Sequence, residues 1–142
     1  MTTFFDTSAL IALVKNTEKY HQWSREQFEV GKLRGPIVIS PIVFSEYCVG
    51  TASLEHVQQS LQSLGIESIA ESDAALFRAS RVYKQYKGIN KGPKSSLLPD
   101  FLIGAAAETL GRPLVTTNAR DFQSYFDELQ LIHPSDMATT TR

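Results

Sequence analysis

Asp6, Glu46, Asp100 and Asp121 are four carboxylates that a fold built on a parallel sheet would carry to one place. Thr3-Phe4-Phe5-Asp6 reads as a short buried strand with the acid at its end, beside the start of a helix. Glu46 lies in a helix, Pro41 to Val49, that follows the apolar strand Ile37-Val38-Ile39. Asp100 falls in the first turn of a helix from Ser96 to Leu110, and Asp121 comes soon after the buried pair Leu114-Val115. Each has a plainer role within reach. Asp6 could cap its helix, Asp100 could answer the helix dipole, and Asn118 with Asp121 could start another helix. Glu46 could face solvent, although a glutamate among Ile42, Val43 and Val49 is costly to bury unless something pairs with it.

The chemistry follows if the four converge. Two carboxylates ~4 Å apart repel by about 4 kcal/mol at an effective dielectric of 20. A cleft holding four therefore needs protons or cations to compensate. Oxygen-only ligands select hard cations, so Mg²⁺ or Mn²⁺ is the natural partner. Carboxylate-held ions of this kind suit phosphodiester hydrolysis, where the metal activates water, orients the phosphate and stabilises the leaving oxygen. No covalent nucleophile is needed.

The elements that must position these acids alternate between strand and helix. That pattern predicts an α/β fold of three layers, with a mostly parallel central sheet covered by helices on both faces. In such sheets ligands bind at the C-terminal ends of the strands. Between the acids the sequence predicts a helix from Ala9 to Lys15 and an amphipathic helix from Glu18 to Lys32, with Tyr20, Trp23 and Phe28 turned inward. Ser40-Pro41 reads as an N-cap followed by proline at the first helical position. A helix from Ser53 to Leu64 is stopped by Gly65, a third strand covers Ile66 to Ile69, and Ser72 caps a long helix to about Tyr86. A loop from Gly88 to Ser96 precedes the helix of Asp100, whose face of Ile103, Gly104 and Ala107 should pack against the sheet. Leu129 to Ile132 is expected as the edge strand. One domain is expected over residues 1–135, with a flexible tail over 136–142.

Composition narrows the function classes. With 42% apolar and 20% charged residues in 142, the chain is globular rather than disordered. No apolar run is long enough to span a bilayer, and Asp6 interrupts the only N-terminal apolar segment, so neither membrane nor signal peptide is expected. One cysteine, Cys48, excludes an internal disulfide and fits the cytoplasm. Three scattered histidines argue against zinc. The Gly-Pro-Lys loop at Gly92 does not match a phosphate-binding loop, since proline replaces a needed N–H and no strand precedes it. Between Ala74 and Pro99 there is no acid, while Arg78, Arg81, Lys84, Lys87, Lys91 and Lys94 contribute +6. The remaining 8 basic and 15 acidic residues leave the rest of the chain at −7. Such a stripe, from Arg81 to Lys94, could bind the phosphates of RNA, or could be a solvated helix face and loop.

Asp6-Thr7-Ser8, Glu46 after the second strand, Asp100 opening a helix and Thr117-Asn118-x-x-Asp121-Phe122 together resemble the PIN-domain ribonucleases in order and separation. The small single-domain build is most similar to the VapC-type toxins of prokaryotic toxin–antitoxin pairs. The resemblance implies a catalytic set of Asp6, Glu46, Asp100 and Asp121, with Asp6, Asp100 and Asp121 as metal ligands. It also implies that Ser8, Thr117 and Asn118 line the site. A Mg²⁺- or Mn²⁺-dependent endoribonuclease of structured RNA is implied, as are a homodimer and a small antitoxin whose C-terminal segment covers the cleft. Two other classes stand beside it. One is a non-catalytic PIN-like module that binds RNA or protein. The other is an Asp-nucleophile phosphatase, which needs a second Asp where this chain has Ser8.

Overall fold

The computed structural model describes residues 1–90 and 98–134. The stretch 91–97, with Lys91 and Lys94, and the tail expected over 136–142 lie outside the described residues. Five strands form one sheet: β1 (Thr3–Phe5), β2 (Ile37–Ile39), β3 (Ile66–Ser68), β4 (Leu114–Val115) and β5 (Leu131–Ile132). They lie in the order β3-β2-β1-β4-β5, and every pairing is parallel. β5 is the edge strand, as its sequence suggested.

The helices are α1 (Thr7–Val14), α2 (His21–Arg34), α3 (Pro41–Val49), α4 (Leu54–Leu64), α5 (Asp73–Asn90), α6 (Leu98–Leu110) and the single turn α7 (Arg120–Gln123). Parallel strands need crossover helices, and right-handed crossovers put α1 to α4 on one face and α5 and α6 on the other. Alternate residues of β1 show both faces covered. The Phe5 ring meets Phe28 of α2 edge-on at 6.4 Å, while Phe4 packs toward Ala75 and Ala106 of α5 and α6. Strands buried on both sides read as continuous apolar runs, which is why Ile37-Val38-Ile39 shows no alternation.

The topology sets the site. After β1 the chain builds outward to β2 and β3, then crosses back to β4 on the other side of β1. Asp6, the first residue past β1, therefore stands where the strand order reverses, the place where open α/β sheets bind ligands.

Several boundaries and packing faces differ from expectation. α5 runs through Gly88 to Asn90 rather than stopping near Tyr86, because apolar contacts of Tyr83 and Tyr86 with Phe101 hold its last turns against α6. α2 starts at His21, three residues late, with Glu18 and Tyr20 in the turn before it. Ser40 stands at the N-cap of α3, but its hydroxyl makes no capping bond. On α3 the buried residues are Val43 and Tyr47, whereas Val49 is exposed. Ile103 and Ala107 of the α6 face are buried, and at Gly104 the Phe126 ring comes so close that a Cβ would lie 2.4 Å from it, an approach that favours glycine.

Candidate active site

Asp6 is the floor of the site. Its backbone N–H donates to the Val115 carbonyl at 3.0 Å, and its own carbonyl accepts from Leu10 in α1. Its carboxylate is almost fully buried, at 4% exposure, yet it accepts three hydrogen bonds. Oδ1 takes the Ser8 hydroxyl at 2.6 Å and the Ala9 N–H at 2.9 Å, and Oδ2 takes the Thr116 hydroxyl at 2.5 Å. The capping role and the site role are thus both filled by one side chain. Burial raises the pKa of Asp6 and the Ser8, Thr116 and Ala9 donors pull it down; burial prevails.

Register explains Thr116. Pairing of Phe5 with Val115 leaves Asp6 and Thr116 as the next residues of two adjacent strands. Thr116 Oγ1 in turn accepts from the Asn118 N–H at 2.9 Å, and the Thr117 N–H donates to Ser8 Oγ at 3.1 Å. The turn after β4 is therefore tied to the turn after β1.

The other three acids close the cleft from separate elements. Glu46 on α3 is half-buried and accepts a hydrogen bond from the Thr7 hydroxyl at the start of α1. Asp100 stands in the first turn of α6, and Asp121 in α7. The N-cap of α7 is Ala119 without a side-chain bond; Asn118 gives only its carbonyl, to the Asp121 N–H at 3.1 Å. The helix-start role proposed for the Asn118 side chain is not realised, and that side chain lines the cleft instead. The four carboxylates with Thr7, Ser8 and Asn118 enclose an open cleft of about 260 Å³, walled by Ile11 and Ile103. Thr117, expected to line the site, is not among its lining residues; its backbone N–H donates to Ser8, which is.

Convergence is visible in Asp100. Burial, then the charges of Asp121, Asp6 and Glu46, push its pKa up to about 7. An acid feels three others only when they share a low-dielectric neighbourhood.

The donor set is oxygen only, which suits a hard divalent cation. Among the described residues no three acidic, imidazole or thiolate groups stand at the spacing of one ion. Closure onto a cation would need Asp100 and Asp121 to turn toward the fixed carboxylate of Asp6. Neither has a hydrogen bond to its carboxylate among the described residues, so both can move at low cost.

Thr7 and Thr116 are functional candidates that the sequence reading passed over. Thr7 enters the sequence reading only as part of Asp6-Thr7-Ser8, with no role of its own, and only the parallel register brings Thr116 to Asp6. In the basic stripe, Arg78 is bound to Glu108 at 2.6 Å and ties α5 to α6. Arg81 lies over the Phe77 ring at 4.8 Å and Lys87 over Tyr83 at 5.9 Å, while Lys84 is exposed. These residues climb α5 toward its last turn, beside the first turn of α6 and Asp100.

The PIN domain family model matches residues 3–127. A curated relative, Ribonuclease VapC1 of Rickettsia felis, is 30% identical over 128 residues, covering 87% of this chain and 90% of its own length. Among solved structures, VapBC2 of Rickettsia felis bound to a DNA fragment from their promoter matches with a TM-score of 0.71 at 22% identity, over 94% of this chain and 99% of that one. A toxin–antitoxin complex from Klebsiella pneumoniae matches with a TM-score of 0.62 at 26% identity, over 84% and 89%.

Proposed function

The chain belongs to the PIN-domain family, and from that membership we propose that it is a metal-dependent endoribonuclease of structured RNA, the toxin of a toxin–antitoxin pair. The observation that carries this reading is the gathering of Asp6, Glu46, Asp100 and Asp121 around one open cleft. Resemblance to Ribonuclease VapC1 supplies the substrate class.

In this reading Asp6, Asp100 and Asp121 hold Mg²⁺ or Mn²⁺. The bound ion would supply an activated water and stabilise charge on the phosphate and leaving oxygens. The chain's own residues do the rest. Ser8, the Ala9 N–H and Thr116 keep Asp6 from swinging, so one ligand is pre-set. Thr7 holds Glu46, which orients the attacking water and takes its proton as the water oxygen bonds to phosphorus and the bond to the leaving oxygen breaks. Ile11 and Ile103 lower the local dielectric. Without the ion, burial and the other three acids push the Asp100 pKa up to about 7, which a bound cation would oppose.

A small antitoxin whose C-terminal segment covers the cleft is the proposed protein partner, and a homodimer the working form. The Klebsiella pneumoniae complex supports the first of these. Cytoplasmic residence fits a free Cys48 thiol; no described helix is long and apolar enough to cross a membrane. Arg81, Lys84 and Lys87, with Lys91 and Lys94 beyond the described residues, are the proposed RNA-backbone contacts.

The test is cleavage of total RNA by the purified chain with and without Mg²⁺ or Mn²⁺, beside Asp6→Ala and Asp100→Ala. Cleavage should need the metal and fall by about a thousandfold or more in both variants. A wild type that is inert with either ion, or variants that cut equally well, would end the nuclease reading in favour of a binding module. For the basic stripe, Lys84→Ala with Lys87→Ala should lower the salt slope of RNA binding by roughly 1–2. An unchanged slope removes α5 from the interface.

A further inference from the structure

Beside the acidic cleft lies a second hollow of about 320 Å³, between the end of α1 and the α3–α4 corner. Ile11 lines both, so the two spaces meet across one side chain. The wall of the hollow is mixed. Ile11 and Val14 give apolar surface backed by the buried Tyr47, and Lys15 and His56 stand exposed at its rim. Tyr47 and Ser60 share a hydrogen bond at 2.9 Å, and the Thr51 hydroxyl donates to the Cys48 carbonyl at 2.9 Å. These two bonds tie the corner together, and the accepting hydroxyl of the Tyr47–Ser60 pair keeps its own proton to donate. At the rim stand the Lys15 ammonium, a donor only, and the His56 imidazole, which can donate or accept.

We propose that this hollow is a base-recognition subsite, which takes one unstacked purine of the RNA next to the scissile phosphate. The proposal rests on the endoribonuclease reading. Three observations carry it. Its volume of about 320 Å³ falls within the range of small-ligand pockets. Single-stranded bases are recognised by an apolar or aromatic surface for the face and by polar groups for the edge, which is the division seen here. Lysine suits the paired acceptors on the guanine edge, so guanine should be preferred over adenine. Its distance from the acids, one side chain, lets a base sit there while the adjoining phosphate lies in the cleft.

The experiment has two arms, each on the full chain. In the first, wild type and the Lys15→Ala/His56→Ala double variant digest a randomised RNA pool with Mn²⁺, and fragment ends are sequenced. Wild type should show a purine preference, guanine foremost, at one fixed position beside the cut. The double variant should lose that preference and fall about tenfold in kcat/KM on the best sequence, with its Mn²⁺ affinity unchanged. In the second arm, short single-stranded oligonucleotides differing at one base are bound to Asp100→Asn protein, with and without the two substitutions. Affinity should depend on the base and lose that dependence in the variant. A cleavage pattern or binding preference indifferent to Lys15 and His56 overturns the subsite. So does a variant that keeps its base preference and loses only capture of the antitoxin, which would give the hollow to the protein partner. If wild type cuts nothing, the nuclease reading fails, and the binding arm still decides whether the hollow reads a base.

Discussion

Asp6 and Glu71 both follow a strand at the same edge of the sheet, and burial raises the pKa of both. Around Asp6 the fold has arranged two hydroxyls and a helix N–H, and three more acids face it across an open cleft. Around Glu71 there is a smaller hollow of about 120 Å³, lined by Phe4, Ala75 and Ala106, in which both carboxyl oxygens and the nearby Ser40 hydroxyl lack a hydrogen-bond partner among the described residues. The difference teaches that a perturbed acid is not a site by itself. Desolvation alone makes a carboxyl reluctant to ionise, and around Glu71 nothing offsets it: burial pushes its pKa up with no donor to pull it down. Aimed donors and converging charges are what make a carboxylate useful, and only the Asp6 cleft has both.

The comparison breaks most severely if Asp6 is made to resemble Glu71. Thr116→Val would strip Oδ2 of its donor and leave the Asn118 N–H without its acceptor. Activity and Mn²⁺ affinity should each fall about 10–100-fold, and Thr116→Ser should restore most of both. Calorimetric titration with Mn²⁺ checks the first and RNA cleavage the second; a silent Thr116→Val would mean that Asp6 needs no support.

Asp100 sharpens the contrast through pH. Its folded pKa of about 7 exceeds the ordinary carboxylate value of 3.8. Between these pH values the folded chain binds the proton more tightly than the unfolded one, so metal-free stability falls as pH rises through the window and levels off above it. Asp100→Asn removes that penalty. Because the side chain is partly exposed, screening reduces the gain to about 1–2 kcal/mol, or a rise in Tm of roughly 3–6 °C at pH 8. At pH 4 the gain should vanish. Thermal melts at the two pH values read this directly, and equal shifts at both would deny the charge coupling.

Glu71→Gln should do least. A neutral amide can fill the same hollow and offer Ser40 a donor, so RNA cleavage should stay within about twofold of wild type and thermal stability should not fall. A large loss of cleavage would show that the two hollows are linked, and the contrast drawn between them would fall.

Much of the candidate site was legible because its residues mark element ends. Asp6, Glu46, Asp100 and Asp121 sit on or beside helices that follow apolar strands or loops, and periodicity alone locates such places. Less legible were Thr7 and Thr116, since threonine in a turn carries no signal until a partner is known. The extent of α5 was misjudged for a similar reason. Gly88 reads as a stop, but the stacking of Tyr83 and Tyr86 on Phe101 of α6 outweighs a helix penalty of about 1 kcal/mol for one glycine.

By itself the sequence determined the α/β class and placed four acids toward one edge of the sheet, because apolar runs, caps and turn residues are local and encode local structure. The tertiary structure alone decided how those acids act on one another. Strand order put Asp6 at the reversal, register brought Thr116 to its carboxylate, and packing of α6 set Asp100 among three like charges. Those are relations between residues up to 110 positions apart. Their energies depend on distance and burial in the folded chain, and no window of sequence contains either.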